Sequence, residues 1–283
     1  MELRFTKMHG ISNDYIYIST FDQQVDDPEA LSIALSDRRT GIGGDGVILV
    51  CPSEVADAKM RIFNADGSEG KMCGNGIRCV GKFVYDKGLV SADKTTITIE
   101  TLSGVKTLEL SVEDGKVVSV RVDMGAAILN PSEIPANFRG SKAVNKPLIV
   151  DGREWYVTAV SMGNPHCVTF VKDVDVLELE KIGPGFEKHP AFPDRVNTEF
   201  VRVIDNHTLQ MRVWERGSGE TWACGTGACA TVVAACLNGY CRKNTDVTVR
   251  LRGGDLVIRY TDDTVVMTGP AATVFEGVVE VDQ

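Results

Sequence analysis

Two tetrapeptides carry the residues best suited to chemistry, Cys73-Gly74-Asn75-Gly76 and Cys224-Gly225-Thr226-Gly227, and each leads into a stretch of helical periodicity. The first turn of a helix exposes backbone N–H groups that lack intrahelical partners. Glycines let a ligand approach them closely, so each tetrapeptide is a ready anion site that fits a carboxylate. The same field favours a thiolate, which predicts a lowered pKa for a cysteine just before the helix and makes it available as a base. If two such helices point at one ligand, one sulfur stands on either side of it. Inverting a stereocentre requires removing a proton from one face and returning one to the other, which a thiolate and a thiol can do in either direction. Negative charge developing on the substrate carboxylate would be stabilised by the converging N–H donors, and no Schiff base is demanded.

The elements that must position these cysteines are mostly strands. Period-two alternation marks Tyr15 to Ile18, Thr96 to Ile99, and the pair Leu108 to Val112 and Val118 to Val122 around the Asp114-Gly115 turn. A second hairpin is expected where Val247, Val249 and Leu251 precede Gly253-Gly254 and Leu256, Ile258 and Tyr260 follow. Helices are expected after Cys73, with Ile77, Val80 and Val84 on one face, and after Cys224, with Ala228, Val232 and Ala235. The chain repeats itself, since 224 − 73 for the cysteines and 239 − 88 for the glycines ending the helices both equal 151. The same shift carries Asn13 onto Asn164, Asn64 onto Glu215, Glu69 onto Glu220, Gly74 onto Gly225 and Gly76 onto Gly227. The period is far too long for a solenoid. The fold class expected is α+β: two homologous, pseudo-symmetric lobes, each a mostly antiparallel curved sheet or barrel around a central helix, facing each other across a cleft. The N-terminal lobe is expected over 1–124, completed by a last strand at about 271–283, and the C-terminal lobe over 125–270.

With 283 residues, 43% of them hydrophobic and 24% charged, the chain can bury a core as an ordinary globular protein does. The balance of 30 Lys+Arg against 39 Asp+Glu gives a net charge of −9, which argues against nucleic-acid partners and anionic membrane surfaces. The first residues lack an apolar export segment, and no apolar run approaches the length that spans a bilayer, so a cytoplasmic protein is expected. Its eight cysteines are then expected to be thiols. None forms a C-x-x-C pair and only four histidines are present, so no metal site is expected.

Taken together, these motifs resemble the diaminopimelate epimerase family. Phe63-Asn64-Ala65-Asp66-Gly67-Ser68-Glu69 followed by Cys73-Gly74-Asn75-Gly76-Ile77-Arg78-Cys79 looks like its first signature, and Trp214-Glu215-Arg216-Gly217 to Ala223-Cys224-Gly225-Thr226-Gly227 looks like its second. Supporting stretches are Asn13-Asp14, Thr40 to Gly43, Gly163-Asn164-Pro165-His166, Arg195 to Glu199 and Thr268 to Ala271, so the resemblance runs nearly end to end. It implies a cofactor-free isomerase that interconverts LL- and meso-2,6-diaminopimelate in lysine biosynthesis. Cys73 and Cys224 would be the acid/base pair, tuned by His166 and Glu215, and the amides at Gly74-Asn75 and Gly225-Thr226 would hold the reacting carboxylate. Asn13 and Glu215 would contact the reacting ammonium, while Asn64, Asn164, Asn197 and Arg216 would bind the distal end. Two departures are visible. Gly46 stands where many relatives carry a glutamine that meets the reacting end, and Phe275 stands where a tyrosine is often seen at the homodimer contact.

Other readings of the same residues differ in class. Cysteine is among the most often buried residue types, and Cys51, Cys79, Cys167, Cys229, Cys236 and Cys241 are read as small core residues. Gly225-Thr226-Gly227-Ala228-Cys229-Ala230 satisfies the dinucleotide fingerprint, but the chain lacks alternating βαβ units. A thiol redox or metal-buffering protein would use the cysteines without chemistry on carbon. Nearest in mechanism is a two-thiol racemase acting on proline or hydroxyproline, which differs in needing no recognition of a distal charged end.

Overall fold

Alternating apolar residues become strands that wrap two helices buried on nearly every side. The computed structural model describes residues 2–281. Contacts divide the chain into one unit formed by residues up to Asp123 with those from Thr268 onward, and a second formed by Met124–Met267. The first unit contains β1 (Glu2–Gly10), β2 (Asn13–Ser19), α1 (Pro28–Ser36), β3 (Gly46–Cys51), β4 (Ala58–Asn64), the short β5 (Glu69–Gly70), α2 (Gly74–Asp86), β6 (Thr96–Thr101) and β7 (Gly104–Glu113), and reaches its boundary in β8 (Lys116–Gly125). The second contains β9 (Lys146–Val150), β10 (Arg153–Ser161), β11 (Pro165–Phe170), α3 (Leu179–Glu187), β12 (Asn197–Asp205), β13 (Thr208–Glu215), β14 (Gly219–Thr221), α4 (Gly225–Leu237), β15 (Asp246–Leu251) and β16 (Gly254–Tyr260). The chain leaves it within β17 (Val265–Pro270), and β18 (Ala272–Glu280) pairs antiparallel with β1 from Glu2↔Glu280 to His9↔Ala272. The two ends of the chain thus share one sheet. No helix among the described residues is long and apolar enough to cross a membrane.

Both units follow one α+β plan. Antiparallel ladders dominate, with parallel joints β2–β3 and β4–β6 in the first unit answered by β11–β12 and β13–β15 in the second. The 151-residue shift holds for the backbone, since α2 onto α4 gives 225 − 74 and 237 − 86, and α1 onto α3 gives 179 − 28 and 187 − 36. It also holds for register: the parallel pair Ile16↔Val47 returns as Cys167↔Thr198. Even an ion pair repeats, with Arg61 Nε 2.8 Å from Glu69 Oε1 and Arg212 Nε 2.8 Å from Glu220 Oε1.

Helices α2 and α4 bury residues on all their faces, as core helices do, rather than along one stripe. Close packing of α2 depends on Gly81, where an added Cβ would lie 2.7 Å from Leu108 Cδ2. On another side Phe83 stacks with Tyr17 at 6.5 Å between centroids. Of the six cysteines read as core residues, Cys79, Cys167, Cys229 and Cys241 are buried, whereas Cys51 and Cys236 are only half-buried. Cys51 ends its strand and Cys236 lies in the last turn of α4.

Sequence periodicity marks neither α1 nor α3. Helix α1 starts on Asp27, whose side chain accepts the Ala30 N–H at 3.0 Å, with Pro28 in the first turn. Helix α3 carries Gly183-Pro184-Gly185 and forms because tertiary contacts override poor propensity. Phe186 meets Trp155 and Phe200 edge-on, each at 5.2 Å. Gly183 lies flat against Trp214, where a Cβ would stand 2.2 Å from ring Cδ2. Gly183→Ala gains helix propensity but forces the ring aside, so a net loss of about 1–3 kcal/mol is expected in denaturant melts. An unchanged midpoint would place α3 off that ring.

Candidate active site

Each cysteine of the two tetrapeptides is the N-cap of its helix. Cys73 has extended φ/ψ of −132° and 119°, and its Sγ accepts the Gly76 N–H at 3.3 Å. Cys224 repeats this with −127° and 106° and the Gly227 N–H at 3.3 Å. Sulfur here takes the place of the oxygen of an ordinary Ser or Asp cap. Room for it requires glycine, because a Cβ at Gly227 would lie 3.1 Å from the Cys224 sulfur and 2.7 Å from Glu199 Oε1.

In the first unit Cys73 is half-buried and donates its S–H to Asn13 Oδ1 at 3.3 Å. The Asn13 Nδ2 donates to Asp45 Oδ2 at 2.7 Å. Gly46 faces Asn64 across the β3–β4 ladder, and Asn64 Nδ2 donates to Ser68 Oγ at 3.0 Å. A Cβ at Gly46 would stand 2.1 Å from the Phe63 carbonyl oxygen, so a glutamine there needs a different local backbone. Gly74 and Asn75 open α2, and Asn75 turns its Oδ1 back to accept Arg78 Nη1 at 3.1 Å.

In the second unit the predicted residues form a connected chain. His166 is fully buried, with Nδ1 at 2.7 Å from Glu199 Oε1 and Nε2 at 3.0 Å from Asn164 Oδ1. Asn164 Nδ2 then lies 3.4 Å from Thr226 Oγ1, which is 3.6 Å from the Cys224 sulfur. Glu215 accepts a hydrogen bond from the Thr221 hydroxyl. Burial raises the Glu215 pKa, opposed by the Thr221 hydroxyl, by His166 and by the Cys224 thiol. Asn197 Oδ1 accepts the Arg216 N–H at 2.8 Å, and Arg216 is exposed with Nη1 donating to the Asp194 carbonyl at 3.0 Å. Gly225 and Thr226 open α4. Among the described residues, no group of three or more His, Cys, Asp or Glu is placed to hold a metal ion.

The expectation of a lowered pKa at both helix starts fails for Cys224. Burial raises it well above the ordinary thiol value, and Glu215 and Glu199 push it further, outweighing the Thr226 hydroxyl and the Gly227 N–H. One N–H dipole does not offset desolvation plus two carboxylates. Sequence reading also misses three contributors: Asp45, Glu199 and Thr221. Glu199 had a signal, because it occupies the repeat position of buried Ile48 (199 − 48 = 151), and a charge in a core strand position needs a partner.

The sequence profile of the diaminopimelate epimerase family matches residues 5–130 and 158–274. The chain belongs to that family. The diaminopimelate epimerase of Acetivibrio thermocellus is 56% identical over 283 aligned residues, covering 99% of this chain and 100% of the relative. That of Methanococcus maripaludis is 53% identical over 281 residues, with 99% and 100% coverage. Solved structures extend the fold beyond the family. A hydroxyproline epimerase from Agrobacterium vitis superposes with a TM-score of 0.72 at 13% identity, covering 98% of this chain and 91% of that one. A Bacillus anthracis PhzF-family protein gives 0.73 at 17% identity, covering 99% and 100%.

In this family member the charges around Cys224 make a measurable claim. Iodoacetamide labelling of Cys224 should show a midpoint above the ordinary thiol value of 9.0, and Glu215→Gln should lower it. A midpoint at or below that value in the unsubstituted protein contradicts the electrostatics. The linked stability effect has a definite sign. The native fold retains a proton that the unfolded chain releases, so this thiol's contribution to stability is present below pH 9.0 and is lost as pH rises toward its native value.

Proposed function

We propose that this chain interconverts LL- and meso-2,6-diaminopimelate without a cofactor, and so serves lysine biosynthesis. The observation that carries the reading is the pair of cysteine N-caps, matched in backbone and in sulfur contacts, in a member of this family. Chemistry requires that both thiols serve one α-carbon. One sulfur, as thiolate, takes the α-proton; the C–H electron pair passes onto the carboxylate as an enolate-like charge; the other sulfur, as thiol, delivers its proton to the opposite face. Carbon ends with inverted configuration, and the thiolate and thiol have exchanged. Cys224, whose proton is held by burial and two carboxylates, enters as the acid, which makes Cys73 the base in that direction. The roles reverse with the reaction.

The remaining contacts sort by charge. The first-turn amides at Gly74-Asn75 and Gly225-Thr226 stabilise the reacting carboxylate. Asn13 Oδ1 and the Glu215 carboxylate accept from the reacting ammonium, with Gly46 leaving that end to backbone. Asn64, Asn164 and Asn197 with the Arg216 guanidinium recognise the distal ammonium and carboxylate, and Arg suits a carboxylate by its forked donors. His166 acts through Asn164 and Glu215 rather than by gripping a sulfur. A reducing compartment such as the cytoplasm suits eight free thiols.

The test is incubation with LL-diaminopimelate in D2O, followed by chiral separation and mass analysis. Meso product carrying one deuterium at an α-carbon is expected, and Cys73→Ala and Cys224→Ala should each abolish its formation. Near-normal turnover by either variant would falsify the two-thiol reading.

We also propose a homodimer through the first unit. Strand β18 exposes Val274, Phe275 and Val278 at 56%, 46% and 58%. Phe275 packs edge-on to Phe5 at 5.8 Å, beside a groove of about 620 Å³ that Phe21, Phe83 and Val278 help to line. Exposed apolar groups clustered beside a groove favour burial against another copy. Sedimentation should give a dimer at micromolar concentration and a monomer for Val278→Lys; a monomeric parent would exclude it.

A further inference from the structure

Asn13 sits beside Cys73 with an amide that could face either way, and its two faces have opposite chemical meaning. A carbonyl oxygen toward the site accepts from an ammonium or a thiol; an NH2 group there repels the ammonium and stabilises a thiolate. The atom facing Asp45 settles the choice. A carboxylate only accepts, so the Asn13 atom 2.7 Å from Asp45 Oδ2 must be Nδ2, and Oδ1 is turned to the Cys73 sulfur.

Asp45 is itself fixed. Its Oδ2 also accepts the Asp14 N–H at 3.1 Å, and its Oδ1 accepts Arg38 Nη2 at 3.0 Å. Its backbone is held on both sides, with its N–H donating to the Asp14 carbonyl at 2.7 Å and its carbonyl accepting the Ala65 N–H at 3.1 Å. Arg38 is anchored in turn by Asp14, and Asp14 by Lys7 at 2.6 Å. The repeat shows that this device is specific to one unit. The position equivalent to Asp45 is Val196 (196 − 45 = 151), and the asparagine equivalent to Asn13, Asn164, is engaged by His166 instead.

We propose that Asp45 is a positioning residue that locks the Asn13 amide with its carbonyl oxygen toward Cys73, so that this unit offers an acceptor for the substrate's reacting ammonium. The inference rests on the epimerase reading above. An arriving ammonium replaces the Cys73 S–H as donor to Asn13 Oδ1. The sulfur then loses an acceptor that favours its protonated form and gains a neighbouring cation, both of which favour the thiolate.

The test is a double-mutant cycle on LL-diaminopimelate, with kcat/KM measured for Asp45→Ala, Asn13→Ala and the pair. Asp45→Ala should lower kcat/KM by about tenfold to a hundredfold when Asn13 is present and by less than about threefold when it is absent. Asp45→Asn should restore most of the loss, because its carbonyl oxygen can replace Oδ2 toward Asn13. Independently of substrate, Asp45→Ala should speed alkylation of Cys73 at neutral pH several-fold, and Asn13→Ala should erase that difference. An equal loss in both backgrounds, a Asp45→Asn variant as deficient as Asp45→Ala, or unchanged Cys73 labelling each overturns the proposal. Absence of epimerisation by the parent protein, with the labelling result as expected, would instead overturn the epimerase reading alone.

Discussion

The sulfur-to-amide contact at the start of a buried helix is the constraint on which the rest of the structure depends. A helix must leave its first N–H groups without intrahelical partners, and here a thiol takes one of them at Gly76 and again at Gly227. Sulfur is larger and a weaker acceptor than the oxygen that usually caps, and the residue it meets is glycine in both units, where a Cβ would crowd Ile48 behind Gly76 or Glu199 and the sulfur behind Gly227. The helix behind the turn cannot lie on a surface either. Ladders wrap α2 and α4 closely enough that glycines such as Gly81 mark points of contact, and the outer helices α1 and α3 cover the sheets' other faces. The β-rich architecture follows from the need to hold a short helix end-on with its N-terminus accessible.

Once that scaffold was duplicated, the units diverged in charge rather than in shape. Backbone registers and the Arg61–Glu69 and Arg212–Glu220 pairs persist through the 151-residue shift. Around the cysteines the residue types change: Tyr15 becomes His166, Ile48 becomes Glu199 and Asn64 becomes Glu215. Each replacement brings a carboxylate or an imidazole into the second unit. Two of them are carboxylates that hold the Cys224 proton, and the third is a histidine set against one of those carboxylates. A reaction that needs one acid and one base at the same moment gains from such asymmetry, because two identical environments would favour identical protonation states.

Much of this was legible in the sequence, and what was not has physical reasons. Strand alternation, the two glycine-flanked helix starts and the repeat were all visible, since periodicity and helix punctuation are local signals. Helix α3 was hidden by Gly183-Pro184-Gly185, whose propensity opposes the fold that Trp214 and Phe186 impose. The repeat does not reveal it either, because the counterpart segment Pro28–Ser36 carries no helical periodicity. Site residues adjacent to the cysteines carried motif signals, but Asp45 meets Asn13 from a distant stretch of the chain and Thr221 meets Glu215 only once the β13–β14 hairpin has formed, so neither has a local signature. The pKa of Cys224 was misjudged because the helix dipole is readable from sequence while burial and the approach of Glu199 are not.

Glu199 shows how far a repeat can be pushed without breaking its packing. Ile48 Cδ1 and Glu199 Oε1 occupy the same place, each 2.7 Å from where a Cβ on Gly76 or Gly227 would stand. An isoleucine satisfies that place by dispersion alone, whereas a carboxylate there has lost its water and must be compensated. His166 supplies one partner at 2.7 Å, while Glu199 Oε2 has no hydrogen-bond partner among the described residues. Removing one oxygen's hydration without replacing it costs about 1–3 kcal/mol. A core that otherwise favours apolar packing tolerates this cost beside the thiol, and nothing in the packing requires it, since the first unit builds the same turn with a hydrocarbon. The charge at this position is therefore explained by what it does to the neighbouring histidine and thiol, not by what it contributes to the fold.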